Sequence, residues 1–144
     1  MIVKLSRLEN PFLKYAPLFI LIFILSLNPS CNKSPYPQGE GLYNFYCANC
    51  HMEDGTGLKK LIPGLNDKGF LEKHRLDLPC WIREGMEGPI QVNGIDYNFK
   101  MEGFPNLEPA EINNIVNYIL TSFGNNLNPI SPMEIQGELA KCAN

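Results

Sequence analysis

The sequence predicts an all-α domain of three to five helices with essentially no sheet, and three observations carry that expectation. Ile112, Ile115, Val116, Ile119 and Leu120 recur at the i, i+3, i+4, i+7 and i+8 spacing of one helix face. Cys47, Cys50 and His51 stand at a spacing that gathers them on one side where the chain turns as a helix. The 144-residue chain is too short for two independently cored domains, and 44% hydrophobic with 19% charged residues suits one globular domain behind an export segment.

Residues 1–30 read as that export segment. Lys4, Arg7 and Lys14 form a basic start, and Ala16 to Leu27 is nearly unbroken apolar. Such a run falls short of the roughly 20 residues that span a bilayer and has the length of a signal-peptide core. An uncleaved membrane anchor is the alternative. Leu27-Asn28-Pro29-Ser30-Cys31 then resembles a bacterial lipoprotein cleavage site, where the Cys is lipidated and becomes the new N-terminus. It departs from that pattern in having Asn28 where Leu is usual. Residues 31–38 are polar and proline-bearing, as a tether would be. From Cys31 on there are 9 Lys/Arg and 14 Asp/Glu, a net charge of 9 − 14 = −5 without a basic patch, so no nucleic-acid partner is expected.

Cys47-Ala48-Asn49-Cys50-His51 is the motif that carries chemistry. Two thiols three positions apart can each add across a vinyl group of haem, leaving the next residue beneath the iron to donate an imidazole nitrogen. A redox disulfide or half of a zinc site are the competing uses of such a pair. Glu53, Asp54 and Gly55 follow where a thioredoxin-like site would continue as a long helix, and His74 and Cys80 are not spaced as a second zinc pair. One covalent haem c on Cys47 and Cys50 is therefore expected.

From this motif outward the chain resembles the class I cytochrome c family over residues 39–124. That family has a Gly eight residues before the first haem Cys and an aromatic four before it, here Gly39 and Tyr43. The bare Gly lets the first helix cross the last one closely, against an aromatic that Tyr118 resembles. Helices are expected near 39–51, 68–75, 78–85 and 109–122, the last with Pro109 in its first turn and Gly124 at its exit.

The resemblance also implies a distal ligand. Residues 92–104 look like the family's methionine loop and assign the metal to His51 and Met101, with Glu102 where most members have Pro. Met52 adjoins His51 and cannot reach the opposite face; Met86, His74 and Met133 are the other candidates. Pro63-Gly64-Leu65 resembles the segment whose proline carbonyl orients the proximal His, with Leu65 packing on the haem. Trp81 and Tyr97 could donate hydrogen bonds to haem propionates, although filling a core is the commoner use of a lone Trp.

Cys80 and Cys142 remain after the other cysteines are assigned, and an oxidising compartment favours a disulfide between them, free thiols being the alternative. The bond would pin a tail, residues 125–144, that has little else to dock with. The expected function is one-electron transfer between donor and acceptor redox proteins, on the periplasmic side of a bacterial membrane and held there by lipid, without catalysis. The alternatives are a subunit of a larger oxidoreductase complex, or a haem enzyme or gas sensor with an open iron.

Overall fold

The computed structural model describes residues 34–142 and, before them, only Tyr15, Pro17 and Ile20, all helical. Residues 1–32 and 33–144 form two units, and the fold below is that of the second. The rest of the expected export segment, and Cys31 with its expected lipid, lie outside the described residues.

Residues 34–142 form six helices: α1 (Pro37–Tyr46), α2 (Ala48–His51), α3 (Lys68–Lys73), α4 (Leu78–Glu84), α5 (Pro109–Thr121) and α6 (Pro132–Leu139). That is one more than the expected upper limit. The predicted 39–51 helix starts two residues early, because Pro37 suits a first turn, and it divides at Cys47. The sixth helix lies in the tail, where Ser131 and Glu134 form a reciprocal capping box. Asp67 caps α3 by accepting from the Phe70 amide at 3.0 Å.

The expectation of essentially no sheet needs correction. Strands β1 (Gly85–Met86) and β4 (Met101–Glu102) pair antiparallel with Met86 opposite Met101. Between them, β2 (Ile90–Val92) and β3 (Ile95–Tyr97) make a hairpin. Its turn is Asn93-Gly94, both with positive φ (51° and 73°), the backbone that a two-residue hairpin turn requires.

The core lies between α1 and α5. A β-carbon on Gly39 would collide with the Asn114 carbonyl and the Tyr118 side chain, so the crossing demands a residue without one. Tyr43 is fully buried beside it, its ring centroid 5.3 Å from that of Tyr118. Ile112, Ile115, Val116, Ile119 and Leu120 are all buried, which gives the periodic stripe its physical meaning.

The tail holds itself down more firmly than its sequence predicts. Ile130, Ile135 and Leu139 are buried in the main core, each contributing about 2 kcal/mol of apolar burial. Asn117, itself buried, donates to the Ile130 carbonyl at 3.0 Å and accepts from its amide at 2.7 Å. Cys80 and Cys142 are joined by a disulfide with their α-carbons 5.4 Å apart, tying the tail to α4.

Candidate haem-binding site

A cleft opens between two walls. The first is the α1–α2 corner with the loop after it, and the second is the β-rich segment between α4 and α5. Its outer and inner parts are both bounded by Cys47, His51, Pro63, Met86, Ile90 and Met101. Cys50 stands at the outer mouth, exposed, while Cys47 is buried behind it.

The first wall is built by the motif. Cys47 ends α1, and the single turn of α2 carries Cys50 and His51 to the same side. Met52 stops that turn at φ +63°, its carbonyl accepting from the Tyr43 hydroxyl at 2.6 Å. His51 Nδ1 lies 3.0 Å from the Pro63 carbonyl. A carbonyl can only accept, so Nδ1 carries the proton and the lone pair sits on Nε2. Burial holds His51 below the ordinary histidine range, outweighing the Pro63 hydrogen bond, and keeps the ring neutral as a ligand must be. Burial, with Cys50 adding to it, pushes the Cys47 thiol up to about 12.

The second wall places Met101 on β4, held to the end of α4 through β1. The approach is close enough that a β-carbon on Gly85 would strike the Met101 carbonyl, and one on Gly103 would strike the Arg83 carbonyl. A hydrogen-bonded ribbon thus supports Met101, with Glu102 in place of the usual Pro opposite Gly85.

All eight residues expected at the cofactor border the cleft: Cys47, Cys50, His51, Pro63, Tyr97 and Met101 in its outer part, Leu65 and Trp81 in its inner part. The Tyr97 hydroxyl donates to the Lys59 carbonyl at 3.0 Å, so its proton is spent on the loop rather than left for a propionate. Trp81 borders the cleft together with Phe70, on which its ring stacks, and lies tilted against His74. His74 pairs with Asp77 at 2.8 Å behind that ring, and Met133 is 81% exposed on α6, so neither borders the cleft. Met86, one of the other candidates, borders both parts of it. Asn93-Gly94 between two alternating segments signalled in sequence the hairpin that returns the chain toward the end of α4, although not the register that sets Met86 opposite Met101.

The donor set suits haem c: two thiols on one wall, a neutral imidazole with a free lone pair between them and the cleft, and a thioether across it. Zinc fits poorly, because among the described residues no group of three or more His, Cys, Asp and Glu converges as a cage. The cytochrome c family profile matches residues 37–123. The chain belongs to the cytochrome c family. Family membership implies covalent haem c, and cytochromes c typically carry electrons. The chain is 34% identical over 82 residues to cytochrome c-552 of Thermus thermophilus, a match covering 54% of this chain and 63% of that protein. A second cytochrome c-552, from a particular strain of Thermus thermophilus, is equally similar, the match covering 55% of its length. This cytochrome c therefore spans less than two thirds of either relative. Among the described residues no helix is long and apolar enough to cross a membrane.

Proposed function

We propose that this cytochrome is a class I electron carrier with one haem c attached at Cys47 and Cys50 and ligated by His51 and Met101. The observation that carries the assignment is His51, its Nδ1 proton spent on Pro63 and its Nε2 lone pair left for a metal in a cleft bordered by both thiols and a thioether. Haem c, when bound, supplies a metal centre that takes up and releases one electron.

The side chains account for the rest. Pro63 fixes the ring of His51 and raises its basicity as a donor. The thioether of Met101, a soft donor, would favour the reduced metal and raise the potential above that of a second imidazole. His51 and Met101 would both hold the metal, leaving no place on it for a substrate, which separates a carrier from a haem enzyme or gas sensor. Leu65, Leu71 and Ile82 border the inner part of the cleft and keep water from it. At the outer mouth Leu61 and Phe99 are about 60% exposed beside Lys100, which pairs with Glu102 at 3.3 Å, an apolar contact that suits brief docking to a donor and an acceptor.

The protein is read as exported and tethered by lipid on Cys31 at the periplasmic side of a bacterial membrane, from the Cys at the end of an apolar run. Mass spectrometry of the mature N-terminus tests the lipid. Spectroscopy tests the carrier: the ferric protein should show the far-red sulfur-to-iron band, and the ferrous protein should refuse carbon monoxide. Carbon monoxide binding to the native protein would refute the closed, six-coordinate site.

A further inference from the structure

We propose that the distal position is served by two methionines, with Met101 the resident ligand and Met86 a reserve thioether that takes the metal when Met101 is withdrawn. This rests on the haem assignment above and adds a second ligand to it.

Directly opposed residues of an antiparallel pair have α-carbons about 5 Å apart and side chains on the same face. Met86 and Met101 are such a pair. Both are half-buried, and both border the inner and outer parts of the cleft that His51 also borders. A methionine side chain reaches about as far as that separation and has three rotatable bonds, so either sulfur can reach one point above the shared face. Gly85, at φ +85° and ψ −174°, lets the chain turn from α4 into the ribbon directly before Met86. Packing alone does not require sulfur here, since Ile90 and Ile82 fill neighbouring wall positions with branched aliphatics.

The test uses the full-length, haem-loaded protein with Met101→Leu and Met101→Ala. Both variants should keep a far-red sulfur-to-iron band at a shifted wavelength, and their ferrous forms should still refuse carbon monoxide. Met86→Leu should keep a sulfur-to-iron band supplied by Met101, and the Met86→Leu/Met101→Leu double variant should lose the band and take up carbon monoxide. Loss of the band in Met101→Leu alone overturns the reserve role while leaving Met101 as the native ligand. Loss in Met86→Leu alone overturns the assignment of Met101 itself. Should the Met101 variants not fold, methyl-labelled methionine in the unaltered ferrous protein decides the matter. Two strongly ring-current-shifted methyl signals place both side chains over the haem; a single one rejects the proposal.

Discussion

The wall that carries Cys47, Cys50 and His51 is made by neighbours in sequence, whereas the wall that carries Met86 and Met101 joins residues fifteen positions apart. On the first wall one helical turn fixes the relative positions of two thiols and an imidazole, and a single loop carbonyl sets the imidazole. On the second wall nothing local holds a thioether in place. Its position depends on a two-residue ribbon, a hairpin between the two strands, and two glycines that let backbones touch. The first wall should therefore survive changes that disable the second, and the following experiments can break that contrast or sharpen it.

The largest expected effect is loss of the Cys80–Cys142 bond, which ties α4, the strut leading into β1, to the tail. Closing a loop across 62 positions is worth about 4 kcal/mol in the chain-entropy account. In guanidinium with reductant, the unfolding midpoint should fall accordingly, and the far-red band should vanish before the helical signal. Coincident transitions would show instead that the two walls unfold as one.

Gly39→Ala should cost about 3 kcal/mol, since its new β-carbon meets backbone of α5 that cannot yield. Gly41→Ala, two positions along the same helix, meets nothing within 4 Å and should gain up to about 1 kcal/mol. Equal effects at the two sites, measured by denaturant midpoint, would remove the close crossing from the account of the first wall.

Gly85→Ala acts on the second wall alone. Its φ and ψ are accessible essentially to Gly, so strain of about 2 kcal/mol is expected there, with the far-red band weakened and the helical signal kept. An unaltered band would mean that the ribbon does not position the thioether.

Asp67 links the two regions and gives the smallest effect. Its carboxylate accepts from the Phe70 amide at 3.0 Å and from the Asn93 amide, in the hairpin turn, at 2.8 Å. These bonds hold it below the ordinary carboxylate value of 3.8. A folded-state value lower than the unfolded one means that the stabilisation is complete above about pH 4 and disappears as pH falls through the lower folded value. Asp67→Ala should cost about 1 kcal/mol near neutrality. Below pH 4 the difference between variant and native protein should shrink; a difference that stays constant with pH would assign the effect to packing.

Sequence alone determined the Cys47, Cys50 and His51 part of the first wall, because that is a spacing within one helical turn, while the burial of His51 and its bond to the Pro63 carbonyl came with the fold. The α5 stripe was legible for the same reason; counting cysteines made a Cys80–Cys142 bond the expectation, with free thiols as the alternative, and the fold brings the two α-carbons within 5.4 Å. The second wall was only half legible. Asn93-Gly94 carried a hairpin signal, yet a methionine at position 86 meets one at 101 only through a register that no local pattern specifies. The docking of the tail was equally hidden. Ile130, Ile135 and Leu139 are separated by polar residues, and their burial depends on a groove beside α5 and on Asn117 meeting the Ile130 backbone. Covalent spacing and helical period act over a few residues and can be read along the chain. Register, close backbone approach and burial depend on partners distant in sequence, so only the folded structure decides them.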